Sequence, residues 1–334
     1  MLRQAFRRLC AALVLIAAAL SVPTPAEADT VTCQDLYIPV SLSLLPQTMH
    51  GRLCAPSQAK TVVVLIPGGT YNASYWDIAY TPELRSFRLA MNQSGVATLA
   101  VDRLGTGSSS KPLSALLSAT AQANAVHQVI QTVRPRFTKV IVGGHSIGSA
   151  MAMIEAGKFH DVDGVLVTDM THQMNYITVI PVLANMIPAP LDPQLSSRGL
   201  DAGYLTTSPG TRYTAFHTPG PNDPGAIAYD ESTKDVFAAT EAVDTIALTT
   251  VVIPESQQIT VPVLLVVGND PHFCGPLASD CTTPETLRAS EAPFFAPTAR
   301  LQTYILNGYG HAINYAPNAA TYFTQVTNWL KSMP

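Results

Sequence analysis

No basic stretch interleaved with aromatic residues occurs in the 334-residue chain, and no apolar run exceeds the short one from Leu9 to Leu20. The first absence excludes the electrostatic footprint of a nucleic-acid binder. The second excludes a stable membrane anchor, because a bilayer span needs about twenty apolar residues. Cysteine is sparse, at five residues, and its spacings do not match the short paired Cys/His clusters of zinc sites. The 47% hydrophobic composition excludes a disordered or fibrous chain and is enough for one large α/β domain carrying an insertion.

The N-terminus reads as a segment to be removed. Arg3, Arg7 and Arg8 precede the apolar run, and Ala26-Glu27-Ala28 is a small-residue cleavage signal. Residues 1–28 are expected to be a secretory signal peptide cleaved after Ala28, which places the mature chain outside the cell or in a periplasm. That chain, residues 29–334, carries 16 basic and 22 acidic residues. Its mild negative charge keeps it soluble and recruits no nucleic acid. Four cysteines remain in an oxidising compartment, with three possible pairings. Cys33 with Cys54 and Cys274 with Cys281 are favoured, the first closing a loop worth ~3 kcal/mol in chain entropy.

The most informative stretch is Lys139 to Met151, KVIVGGHSIGSAM. Val140, Ile141 and Val142 form a short β-branched run, as in a strand buried on both faces, and helix-forming residues follow from Ile147. Between them stands Gly144-His145-Ser146-Ile147-Gly148, a G-x-S-x-G motif. A serine on a strained strand-to-helix turn needs glycines two residues either side, where side chains would collide. Ser146 is therefore the candidate nucleophile, and the Ile147 amide at the helix start is a candidate oxyanion donor. Thr61 to Ile66 is a second buried-strand run, ending in Pro67-Gly68-Gly69-Thr70. The Gly69 amide, with Thr70 as the alternative, is the second candidate donor.

The strand series continues at Val96–Val101, Gly164–Asp169, Val263–Val267 and Arg300–Leu306. Helices are expected over 80–93, 114–137 and from the nucleophile onward, with a closing helix that turns Tyr322, Phe323, Val326, Trp329 and Leu330 inward. Residues 29–60 read as irregular structure with early strands. Asp102, ahead of a glycine-rich loop, reads as a structural carboxylate for loop amides, and His127 as an ordinary surface or packing histidine. Residues 171–260 are rich in proline, methionine and tyrosine, with short helical pieces at 176–186 and 233–249. A structureless loop of that length is implausible in a compact domain, so it reads as a cap inserted over the site. Met174, Tyr176, Met186 and Tyr204 either line an apolar pocket or form the cap's own small core.

Asp270 and His311 each follow a strand, completing the order Ser146, Asp270, His311. In that arrangement the imidazole takes the serine proton and returns it to the leaving group, while the carboxylate holds its tautomer. Asp169 also ends a strand and is the rival acid, with Asp270 favoured. This order, the G-x-S-x-G turn, Asp102-Arg103-Leu104-Gly105-Thr106-Gly107-Ser108 and Gly310-His311 resemble the α/β-hydrolase family over residues 60–334. Two departures are Pro67-Gly68, where many members have His-Gly, and Gly268-Asn269-Asp270, where G-x-x-D is usual.

The resemblance implies a mostly parallel sheet flanked by helices and acyl transfer to water, with no metal or organic cofactor. The expected activity is a secreted serine hydrolase of carboxylic esters, acting on a small, apolar ester. A lactonase, peptidase or acyltransferase would use the same residues. A non-catalytic binder of an apolar ligand is the reading from outside enzymology, and it has no need of the three residues in that order.

Overall fold

A computed structural model describes residues 30–246 and 255–333. The expected signal peptide and residues 247–254 of the expected cap lie outside the described residues. The chain opens with β1 (Val31–Leu42), β2 (Leu45–Pro56) and β3 (Thr61–Ile66), followed by α1 (Pro82–Arg85), α2 (Phe87–Gln93) and β4 (Ala97–Val101). Then come α3 (Ala119–Val133), β5 (Lys139–His145), α4 (Ile147–Phe159) and β6 (Gly164–Thr168). A long segment carries α5 (Tyr176–Ala184), β7 (Met186–Pro188), β8 (Tyr204–Thr207), α6 (Pro224–Ser232), β9 (Phe237–Ala238) and α7 (Ala239–Ile246). The last elements are β10 (Val263–Gly268), α8 (Pro284–Glu291), β11 (Gln302–Leu306) and α9 (Ala319–Ser332).

Among the described residues, eight strands form one sheet in the order β1-β2-β4-β3-β5-β6-β10-β11. Only the pairings of β2, with β1 and with β4, are antiparallel; the rest of the sheet is parallel. The β-branched runs explain why. In β3, Val62, Val64 and Ile66 face one core with Val126 and Ile130 of α3 and Met151 of α4. Val63 and Leu65 face the opposite core with Phe87 of α2 and Phe323 and Trp329 of α9. A strand with both faces covered by helices must be apolar at every position, which suits a parallel sheet.

Several expected boundaries move. Where irregular structure with early strands was expected, residues 31–56 are two twelve-residue strands joined at Ser43-Leu44, with Cys33 opposite Cys54. Most of β1 is exposed at the sheet edge, so its sequence carries polar residues and only a weak alternation. The helix expected over 80–93 is two helices. Pro82 starts α1, and Ser86 interrupts the run to cap α2 by accepting from Leu89 N at 3.0 Å. The helix expected from Ser114 begins at Ala119, because Ser118 caps it by accepting from Ala121 N at 3.1 Å. The piece expected as helix from Thr233 contains β9 before α7. The segment between β6 and β10 also holds a three-stranded antiparallel sheet, β7-β8-β9, that short strands of two to four residues did not announce. Among the described residues no helix is long and apolar enough to cross a membrane.

The structure contains disulfides between Cys33 and Cys54 and between Cys274 and Cys281. Replacing both Cys33 and Cys54 by alanine is expected to lower unfolding free energy by about 3 kcal/mol, read from urea denaturation. A loss under about 0.5 kcal/mol would mean that the hairpin already restricts the unfolded chain.

Candidate active site

Ser146 stands alone between β5 and α4 at φ 54 and ψ −126, a conformation that is costly for a residue with a Cβ. Its backbone is held by a hydrogen bond from Ser146 N to Thr168 O at 2.9 Å. The flanking glycines are required sterically. A Cβ on Gly144 would lie 2.1 Å from Gly148 O, and one on Gly148 would lie 2.4 Å from Ile66 O. Ser149 and Thr168 brace the turn, with Ser149 Oγ 2.7 Å and Thr168 Oγ1 2.8 Å from Gly144 O. Ile147 is the first residue of α4, so its amide has no intrahelical acceptor.

The loop after β3 packs directly on this turn. A Cβ on Gly68 would meet His145 Nδ1 at 2.6 Å and Ser146 Cβ at 3.1 Å. Gly68 O accepts from Arg103 Nη2 at 3.0 Å, and Thr70, at φ 64, accepts from Arg212 Nη1 through its Oγ1 at 3.0 Å. Gly69 and Ile147 line the same cavity as Ser146.

Asp270 follows β10 and His311 follows β11, neighbours in the parallel sheet. Their loops cross closely, since a Cβ on Gly268 would lie 2.4 Å from Gly310 O. His311 Nδ1 lies 2.7 Å from Asp270 Oδ2. The other oxygen, Oδ1, lies 2.6 Å from His272 Nδ1 and accepts from His272 N at 3.0 Å. Burial alone opposes ionisation of Asp270, but the facing His311 and His272 outweigh it and hold the carboxyl well below the usual carboxylate range. For His272 burial likewise opposes the charge, and Asp270 outweighs it, raising that imidazole.

Asp169, the rival acid, ends β6 at φ 46 with its side chain fully buried. Its Oδ1 accepts from Gly268 N at 2.8 Å, and its Oδ2 lies 3.8 Å from His145 Nε2. Burial, followed by the charge of Asp270, pushes its carboxyl far above the usual range. Its carboxyl holds the backbone beneath the site through Gly268 N. His145, the variable position of the motif, donates from Nε2 to His311 O at 2.9 Å and stacks on Tyr75 at 4.2 Å. Burial and then the nearby His311 drive its pKa well down, so it stays neutral. Asp102 accepts from Ala73 N at 2.9 Å and Ser108 N at 2.8 Å, as a carboxylate serving loop amides does.

Sequence reasoning missed His145, His272 and Arg212. A histidine inside the motif and another two residues after Asp270 were the signals available for the first two.

Ser146 and His311 open onto a cavity of about 110 Å3 whose wall is mainly apolar, with Met174, Val179, Val182, Met186, Phe216 and Phe237 on it. Of the four residues expected to line a pocket or fill a cap core, Met174 and Met186 line the cavity. Tyr176 is exposed on α5, and Tyr204 is buried, donating to Pro112 O at 2.5 Å.

A helix-covered parallel sheet with a serine on a strained strand-to-helix turn, beside a carboxylate-held histidine, defines a hydrolase class. The chain belongs to the alpha/beta hydrolase family, whose profile matches residues 63–322. No curated protein matches significantly. Among solved structures the chain is similar to naproxen esterase from Bacillus subtilis, at 15% identity and a TM-score of 0.62 over 91% of this chain and 93% of that one. It is similar to a thermophilic esterase from Thermogutta terrifontis at 16% identity and a TM-score of 0.57, covering 90% of this chain and 99% of that one. An enol-lactonase from Burkholderia xenovorans aligns at 16% identity and a TM-score of 0.56, covering 86% of this chain and 97% of that one. At these identities the likeness is one of fold.

The depressed Asp270 pKa carries a sign that stability measurements read. A carboxyl ionised more easily in the folded state than at its ordinary 3.8 stabilises above that pH, and the contribution is lost as pH falls toward the folded value. Asp270→Asn is therefore expected to be less stable than the parent at pH 7, with the gap narrowing below about pH 4. A constant gap from pH 7 to pH 3 would contradict the assignment.

Proposed function

We propose that the protein is a secreted serine hydrolase that cleaves carboxylic esters through an acyl-enzyme on Ser146. The observation that carries this reading is the shared cavity: Ser146 and His311 open onto one apolar space, and Asp270 Oδ2 holds His311 Nδ1 at 2.7 Å. With Nδ1–H donated to the carboxylate, Nε2 is the free base that takes the Ser146 proton. The serine oxygen attacks the ester carbonyl, and the amides of Ile147 and Gly69 stabilise the oxyanion. His311 then gives the proton to the leaving alcohol. In the second half His311 activates water, the acyl-enzyme is cleaved and Ser146 is regenerated.

Each oxyanion donor contributes on the order of 100- to 1000-fold in turnover. The neutral His145 fixes the His311 backbone without competing for Asp270. Residues 171–260 act as a cap: they supply the methionine and phenylalanine wall and set which acyl or alcohol group enters. The two disulfides and the expected leader support export to an oxidising compartment.

The test is hydrolysis of p-nitrophenyl acetate and butyrate, alongside lactones and aminoacyl amides, and fluorophosphonate labelling followed by peptide mapping. Ser146→Ala and His311→Ala are expected to lower kcat by at least ~10^4-fold, and Asp270→Asn by a similar factor. Asp169→Asn is expected to retain near-normal turnover. A label absent from Ser146 in protein that turns over esters would overturn the mechanism. Turnover of lactones or amides with none of esters would overturn the substrate class alone.

A further inference from the structure

The helix that begins behind Ser146 carries a second group of polar side chains near its other end, on the order of 13 Å along its axis. Glu155 lies on α4, His127 on the facing α3, and Asp161 just past the end of α4, where His160 turns the chain at φ 53. His127 Nδ1 is 2.9 Å from Asp161 Oδ2 and 3.4 Å from Glu155 Oε1, and one donor atom from each residue fits within 4.8 Å of the others. Glu155 is fully buried, while the side chains of His127 and Asp161 keep 24% and 16% exposure, leaving the group open to solvent on one side.

Hydrogen bonding does not account for this arrangement. Among the described residues, neither oxygen of Glu155, nor His127 Nδ1, nor Asp161 Oδ1 makes a well-directed hydrogen bond outside this group; these atoms face one another. The nearby cations are directed elsewhere. Lys158 donates to Asn124 Oδ1 at 2.9 Å, and Arg134 pairs with Asp163 at 2.8 Å. A buried carboxylate without a partner is costly.

The separations suit ligands around a cation. Two atoms each about 2.0 Å from a tetrahedral metal ion lie roughly 3.3 Å apart, and the two distances from Nδ1 bracket that value. Supporting contacts are also present. His127 stacks on Phe159 with ring centres 3.7 Å apart, which fixes the imidazole plane, and the Gln131 amide bonds to Asp161 Oδ2.

We propose that His127, Glu155 and Asp161 form a binding site for a divalent transition-metal cation of the zinc type, separate from the active site. The imidazole selects against calcium and magnesium, which prefer all-oxygen shells. The exposed side leaves the fourth position to water. The ion ties α3 to α4, the helix whose first turn follows Ser146, so its role is structural. This site stands independently of the ester reading.

The competing use of the same atoms is a neutral Glu155 carboxyl resting against Asp161. Burial and then that neighbour raise Glu155 to about 9. Calorimetric titration with Zn2+ alone separates the two. Asp270, His272 and His311 form the other described donor group, so the titration is run in a His272→Ala/His311→Ala background as well as in the parent. One equivalent is expected to bind in that background, with a rise in melting temperature. Adding Glu155→Gln, or the more exposed Asp161→Asn if the first fails to fold, is expected to weaken binding roughly tenfold or more and abolish the thermal shift. Unchanged Zn2+ affinity in those folded variants, or no binding in the background, would overturn the site in favour of the neutral acid.

Discussion

Backbone crowding around Ser146 is the constraint on which the remaining geometry depends. Gly144, Gly148 and Gly68 each stand where a Cβ would come within 2.1 to 2.6 Å of an atom of a neighbouring segment. The turn between β5 and α4 is thereby packed against the end of β3 and, through Ser146 N and Ser149, against the end of β6. A positive-φ serine costs on the order of 1–3 kcal/mol and survives only where its surroundings over-determine it. Here they do, through three parallel strands in register and the side chains of Ser149 and Thr168. The strain is local, but the rigidity it requires extends across the centre of the sheet.

The long segment between β6 and β10 is attached to that centre by buried charge. Arg103 and Glu241 are both fully buried and meet at 2.6 Å, and Arg103 also donates to Gly68 O and Val236 O at 3.0 Å. Arg212 meets Asp230 at 2.8 Å while donating to Thr70 Oγ1. His217 joins Asp230 at 2.8 Å to Tyr309 OH at 2.6 Å, two residues before His311. Breaking one partner of such a pair leaves an uncompensated buried charge, which is why these contacts act as fixed bolts. The outer helix α5 differs, having no buried residue and leaving Ile177 and Ile180 exposed. This segment therefore has a buried polar inner layer, touching both the Gly69 loop and the His311 loop, beneath a more exposed apolar helix.

Much of this was legible in order along the chain. Val62 to Ile66, Val140 to Val142 and Val263 to Val267 are apolar at successive positions because both faces are covered. The glycines around Ser146 are readable because a turn of that shape admits nothing larger. Asp270 and His311 were legible by position, each just past a strand. The first hairpin was obscured by its exposed edge. The small sheet between β6 and β10 was obscured by strands too short for any periodicity to develop. The polar network of Arg212, Asp230, His217 and Tyr309 left no trace, because its members are separated by up to 97 residues.

By itself the sequence determined the strand and helix series, the strained serine turn and the family of folds, since all three follow from hydrophobic period and steric limits within contiguous residues. The tertiary structure decided that Asp270 and not Asp169 faces His311, and it paired Asp270 with His272 as well. It also set Glu155 against His127 and Asp161, and placed Met174 but not Tyr204 in the cavity wall. Those outcomes depend on which loops cross and which buried groups are desolvated together, and no short stretch of chain encodes the distance between two strand ends.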